Sequence, residues 1–207
     1  MVKGLQKEFL MLGVIFGLVF LTGQATAASV YDFDKAHSKL EFSVKHLMVS
    51  NVKGEFTDYE GTINFDPDNL ADSRVDVVIQ AKSVDTRIEA RDKHLKGPEF
   101  LDTDKFQTIA FKSAKILKSG DIYNIVGDLT IHGVTQEIEI PVTISGPVNS
   151  PMGGTVIGIS GETTINRQKF GVAFSKTMDN GGLLVDDFVK IIVNVEGHLQ
   201  QPPQPVK

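Results

Sequence analysis

The residues of this chain best able to do metal or acid–base chemistry are its five histidines, His37, His46, His94, His132 and His198. They are scattered singly, and no two of them have the spacing that puts a metal-ligand pair on one helix turn or one strand face. Gly158-Ile159-Ser160-Gly161 holds a serine among glycines, but it lacks nucleophile-elbow spacing and falls in the middle of an alternating stretch. The neighbours Asp186 and Asp187 point apart on an extended backbone, as a solvated edge does. The glycine pairs Gly153-Gly154 and Gly181-Gly182 lie in loops between strands, not ahead of a helix, so neither reads as a phosphate cradle. No catalytic group and no metal site is expected, so any function rests on a binding site that the secondary-structure elements shape.

Residues 1–27 read as an address. Lys3 and Lys7 precede an apolar or glycine run of 13 residues, Phe9 to Leu21, well short of the roughly 20 that span a bilayer. Ala25-Thr26-Ala27 supplies the small-x-small pattern of a signal-peptidase site, which puts the mature start at Ala28 and the mature protein in the periplasm. The chain has no cysteine, so neither a disulfide nor a lipid-modified N-terminal cysteine is available, and stability must come from burial. Without Lys3, Lys7 and Glu8 the 21 basic and 26 acidic residues fall to 19 and 25, a net charge of −6. An acidic chain with no basic run is a poor partner for nucleic acid. The length suits one domain over 28–199, and the Pro/Gln-rich tail at 200–207 reads as disordered.

Period-two alternation runs through nearly all of that domain. In Lys39 to His46, Leu40, Phe42 and Val44 point one way and Lys39, Glu41, Ser43 and Lys45 the other. The pattern returns in 53–66, 74–81, 107–117, 121–132, 134–145, 155–166 and 186–199, giving eight strands. Phe56 is out of phase with Gly61, Ile63 and Phe65, which predicts a bulge near Asp58-Tyr59. Turn chemistry at Ser119-Gly120-Asp121, His132-Gly133 and Ser145-Gly146-Pro147 links neighbours into antiparallel hairpins, with a left-handed backbone expected at His132 and Gly133. Several strands reach 12 to 14 residues, about 40 Å at ~3.3 Å per residue. The expected fold is therefore all-β, an eight-stranded antiparallel up-and-down barrel. A two-sheet sandwich is the competing arrangement.

One interruption, Ser83 to Asp104 between the third and fourth strands, has helical signals. Thr86 and Glu89 form a capping box, Gly97 and Pro98 close the helix, and Ile88, Asp92 and Leu95 mark an inward face. Such a crossover could cover one barrel opening. The strands supply Phe42, Val44, Phe65, Val77, Phe111 and Ile191 to an interior that is either a filled core or a ligand cavity. Glycines within strands, among them Gly54, Gly61, Gly127 and Gly161, let the sheet bend or leave space.

The motifs resemble those of one family. Asp34, His37, Ser38, Leu40, Phe42 and His46 resemble the opening of YceI-like proteins. Arg91-Asp92-Lys93-His94-Leu95, Phe111-Lys112-Ser113, Gly127 to Thr135 and Ile165-Asn166-Arg167-Gln168-Lys169-Phe170-Gly171 continue the resemblance over roughly 31–199. Phe106-Gln107 departs from it, where the family commonly shows Tyr-Pro. The resemblance implies a lipocalin-like barrel around an isoprenoid chain, either a polyprenyl phosphate or a ubiquinone-type tail, and no other cofactor. It implies ligand contacts at Phe42, Val44, His46, Phe65, Arg91, Asp92, His94, Phe111, Asn166, Arg167 and Phe170. Arg91 and His94, three apart, either lock the helix to the barrel or meet a headgroup. Asn166 and Arg167 end a strand before a long loop, at the collar.

The leading expectation is thus a carrier or store of isoprenoid lipid that touches a membrane or membrane protein transiently; a homodimer would fit the family. The alternatives are a quinone-holding redox partner, a lipid-modifying enzyme, or a stress-related interaction protein with a filled barrel.

Overall fold

The computed structural model describes residues 28–179 and 181–201, so the leader and most of the tail lie outside the described residues. Strand β1 (Ser29–Phe33) is followed by β2 (Lys39–His46), β3 (Ser50–Phe56), β4 (Tyr59–Phe65), β5 (Arg74–Gln80) and the short β6 (Val84–Asp85). Helix α1 (Glu89–Lys96) comes next. Five longer strands complete the domain: β7 (Thr108–Ser119), β8 (Ile122–Ile131), β9 (Val134–Asn149), β10 (Thr155–Asn166) and β11 (Val185–Leu199). Hydrogen bonding runs β1-β4-β5-β7-β8-β9-β10-β11, and β11 pairs back onto β1. Every pairing is antiparallel, so these eight staves form a closed up-and-down barrel with no free edge along that ring. Strands β2, β3 and β6 extend three of the staves. β2 pairs with the first part of β11, β3 with β2, and β6 with β3.

The staves that split do so for visible reasons. Between β1 and β2, Asp34 accepts a hydrogen bond from the Ala36 amide, and the Ser38 hydroxyl takes the place of a backbone partner opposite Glu196. Where alternation predicts a bulge near Asp58-Tyr59, the strand breaks outright at Thr57-Asp58. The Gln80 and Thr57 amides take up the bonds there, and buried Tyr59 donates its hydroxyl to the Ser38 carbonyl at 2.7 Å. The β1 segment lies ahead of the alternation read from sequence. His132 and Gly133 do adopt positive φ, 52° and 73°, as a two-residue hairpin turn requires. Ser145-Gly146-Pro147 is not a turn. It is an irregularity inside β9, which continues to Asn149, and the chain reverses over 150–154, where Gly153 and Gly154 have positive φ.

The crossover helix is present, but the Thr86–Glu89 capping box does not form. The N-cap is Ile88, without a side-chain cap. Thr86 is buried and gripped from the helix instead: Asp92 accepts from its amide and hydroxyl, and Arg91 donates Nε to Thr86 Oγ1 at 2.7 Å and Nη2 to the Thr86 carbonyl at 2.8 Å. Because Ile88 is extended rather than helical it leaves the helical phase and is 52% exposed, not inward.

Strand polarity puts the 46–50 hairpin, the crossover, the 132–133 turn and the 167–184 segment at one end of the barrel. The 66–73, 119–122 and 150–154 connections lie at the other. That second end is solid. Tyr31, Ile63, Phe65, Ile116 and Ile157 are all buried there, with Phe65 edge-on to Tyr123 at 6.1 Å.

The turn between β1 and β2 has its own pH signature. The His37 hydrogen bond and then the Ala36 amide hold the Asp34 carboxyl below the usual carboxylate range, and the same hydrogen bond raises His37 above the ordinary imidazole value. A lowered carboxylate stabilises the fold above its unfolded pKa and loses that effect as pH falls through its folded value. A raised imidazole stabilises below its unfolded pKa and loses the effect as pH rises through its folded value. Both contributions are in full force from about pH 4 to about 6.5. In Asp34→Asn the His37 ring protons, followed by NMR, should titrate nearer the ordinary imidazole midpoint. An unmoved midpoint would show that Asp34 is not the cause.

Candidate functional site: an apolar lumen with a polar mouth

The half of the barrel nearer the crossover is hollow. Alternation turns Leu40, Phe42 and Val44 inward on β2, directly across from Val193, Ile191 and Val189 on β11. β-branched side chains dominate the facing staves, with Val75, Val77 and Ile79 on β5 and Ile138 and Ile140 on β9. The cavity they enclose is about 390 Å³, within the range of ligand pockets. Its lining on β11 runs from Val185 to Val195, about 33 Å along the strand at ~3.3 Å per residue, so the space is long. Two strand glycines leave room for rings: a Cβ on Gly54 would clash with the Phe42 ring, and one on Gly61 with the Phe33 ring at 2.5 Å. Gly127 and Gly161 serve differently, since a Cβ there would meet the backbone of the adjacent strand, at Lys112 and Pro141.

Among the described lining residues, Glu41, His46, Arg91, His94 and Arg167 are the ones that are not apolar. His46 ends β2 at the rim, where it pairs with Val185. Phe100 and Phe174 stack at 4.7 Å, with the His94 ring edge-on to both at 4.9 and 5.5 Å, so the crossover and the 171–184 segment meet over the opening. His94 Nε2 lies 2.7 Å from the exposed Glu99 carboxylate. Arg167 is 5% exposed and opens a 3-10 turn, Arg167–Phe170. Its guanidinium donates to the carbonyls of Asp186, Val172 and Val185 and to the Asp187 carboxylate at 2.9 Å. Burial pushes its pKa down and Asp187 and Asp186 pull it back up; an arginine so placed stays charged.

A family model for the YceI-like domain matches residues 31–197. The chain belongs to the YceI-like family. A UPF0312 protein of Yersinia pestis is 36% identical over 189 residues, covering 90% of this chain and 95% of that protein. One of Staphylococcus aureus is 39% identical over 167 residues, covering 80% and 95%. Among solved structures, Burkholderia cenocepacia BcnA superposes with TM-score 0.70 at 25% identity, over 79% of this chain and 98% of that one. A Campylobacter jejuni YCEI protein gives 0.65 at 32% identity, over 76% and 90%. A polyisoprenoid binding domain from Saccharophagus degradans shares the fold, with TM-score 0.62 at 15% identity, over 84% and 100%.

In this YceI-like chain the structure brings Phe42, Val44, His46, Arg91, His94, Phe111 and Arg167 to the lumen wall. Phe65 fills the solid end, and Phe170 is buried at 2% exposure outside the lumen. Asp92 is engaged with Thr86, and Asn166 Oδ1 accepts from the Gln168 amide at the start of the 3-10 turn. Asp187 is not a solvated edge. It lies against Arg167 and also accepts from the Gln168 side chain at 2.6 Å, because the strand begins beneath the 3-10 turn. Val172, Phe174, Leu184 and Val185 also line the lumen. The first three lie in irregular chain, where no periodicity marks a buried face.

Proposed function

We propose that this YceI-like protein is exported to the periplasm and holds a long isoprenoid lipid, of polyprenyl phosphate or ubiquinone type, for carriage or storage. The observation that carries this reading is the long apolar lumen whose polar lining residues gather near the mouth, at His46, Arg91, His94 and Arg167. A linear hydrocarbon gains from burial along the whole wall, and a polar head finds donors at the opening. The name of the Saccharophagus degradans fold relative, a polyisoprenoid binding domain, agrees with it. The leader read at 1–27 supports export. Exposed Met48, Val49 and Ile88, on the hairpin and crossover at the open end, support contact with a bilayer during loading. No described helix is long and apolar enough to cross a membrane. Solvent extraction of protein purified from its native host, followed by mass spectrometry, should release a prenyl chain; clean apo protein would refute the reading.

Headgroup preference can be tested at the crossover. Arg91 engages Thr86 through Nε and Nη2 and still reaches the lumen wall. Arg91→Gln with His94→Gln is expected to weaken a polyprenyl phosphate at least tenfold and a quinone by less than threefold, about 1.4 against 0.6 kcal/mol. Equal losses in a fluorescence competition assay would assign both residues to the fold alone.

A further inference from the structure

The sequence separates His37 from His198 by most of the domain, and barrel closure brings both to one carboxylate. His37 Nδ1 lies 2.6 Å from Asp34 Oδ2, and His198 Nε2 lies 3.2 Å from the same oxygen and 3.1 Å from Glu196 Oε1. Donor atoms of Asp34, Glu196 and His198 all fall within 4.8 Å of one another. Glu196 and His198 share the outer face of β11, since Val193 and Val195, in the opposite phase, line the lumen. We propose that Asp34, Glu196 and His198 form a surface site for a divalent ion of borderline softness, Zn2+ in type, with His37 orienting the Asp34 carboxylate.

The donor set suits that class. One imidazole and two carboxylates with positions left for water match the open, three-ligand arrangement zinc accepts. A zinc ion at about 2.0–2.2 Å from each donor needs donors no more than about 4.4 Å apart. The two histidine contacts already meet that limit, and the half-exposed Glu196 needs only a small rotation. The ion replaces the Nε2 proton of His198, whose remaining proton then sits on Nδ1. His37 donates from Nδ1 to Asp34, the outer-sphere arrangement that fixes a ligating carboxylate.

Two further observations favour a cation here over a simple ion-pair cluster. Lys35 is drawn to Asp58 at 3.4 Å and Lys39 to Glu55 at 3.3 Å, so among the described residues the cationic side chains paired with these two carboxylates are imidazoles. The backbone that carries the donors is already held. The Asp34 amide donates to the Glu196 carbonyl at 2.8 Å, and the Ser38 hydroxyl bonds both the Glu196 amide and its carbonyl. An ion here would clamp the turn after β1 to β11, beside the three-residue pairing that closes the barrel.

Chelator-stripped protein is titrated calorimetrically with ZnCl2, and with MgCl2 as a hard-ion control. One equivalent of Zn2+ should bind with half-saturation below about 100 µM, and Mg2+ should not compete. His198→Ala and Glu196→Gln, at an exposed and a half-exposed side chain, should each weaken Zn2+ at least tenfold. His46→Ala and His94→Ala, at the mouth, should leave it unchanged. Zinc should raise the melting temperature of the parent protein and not of His198→Ala, a readout that holds even if affinity is modest. No saturable binding, or binding that survives His198→Ala, overturns the site. Lipid content plays no part in either measurement, so the outcome is independent of the isoprenoid reading.

Discussion

Replacing Arg167 by methionine is expected to cost about 3–5 kcal/mol of folding stability. Methionine fills much the same volume but donates nothing. The carbonyls of Asp186, Val172 and Val185 and the Asp187 carboxylate would each lose a charge-assisted hydrogen bond in a site that water reaches poorly. Lysine keeps the charge yet cannot fork towards acceptors from two chain segments, so Arg167→Lys should recover less than half of the loss. A domain of this kind has roughly 5–15 kcal/mol in hand, so the methionine variant should fold only marginally at 37 °C. Urea denaturation measures the change, and a loss under about 1 kcal/mol would mean the guanidinium is not the fastener of the mouth. Exchange of the amides at Val172 and Leu184 should quicken first, because Arg167 ties the 171–184 segment to the start of β11.

The role of Arg167 marks where sequence stops informing. Alternation is a local signal, and it located the lumen side of β2 and β11 because an inward residue there is inward for the whole stave. It could not say which inward residues meet empty space. Phe65 and Phe42 have the same chemistry and phase, yet one packs on Tyr123 in the solid end and the other faces the cavity. That difference depends on what seven other staves bring to the same height. The 171–184 segment has no period, so Val172, Phe174 and Leu184 carried no mark. The Thr86–Glu89 pattern failed because Asp92 and Arg91, on the helix that follows, take up the Thr86 amide, hydroxyl and carbonyl, and these bonds replace the capping box. His37 and His198 meet through closure of the ring, a pairing no local spacing encodes.

Lipid is expected to leave this barrel faster by collision with a membrane than by escape into water. A prenyl chain of about 40 carbons, at roughly 0.3 kcal/mol per heavy atom, binds by about 12 kcal/mol, a dissociation constant on the order of nanomolar. At a typical association rate constant of about 10⁶ M⁻¹s⁻¹, spontaneous release then takes on the order of ten minutes. The element that stands in the way is the crossover: Leu95 lines the lumen, and the Phe100–Phe174 stack with the His94 edge joins it to the 171–184 segment. Met48, Val49 and Ile88 present exposed apolar groups on the same end, where a bilayer could bind them and lower the cost of parting that stack. Transfer of bound lipid to vesicles should therefore rise with vesicle concentration and exceed the rate of release into buffer. The chain has no cysteine, so a pair introduced by His94→Cys and Phe174→Cys, whose rings meet at 5.5 Å, can be joined by a short bifunctional alkylating linker. The joined variant should transfer at least tenfold more slowly than its unjoined form, which lacks the stack and should transfer at least as fast as the parent. Transfer at the spontaneous off-rate, whatever the vesicle concentration, would instead describe a store whose lipid leaves only through water.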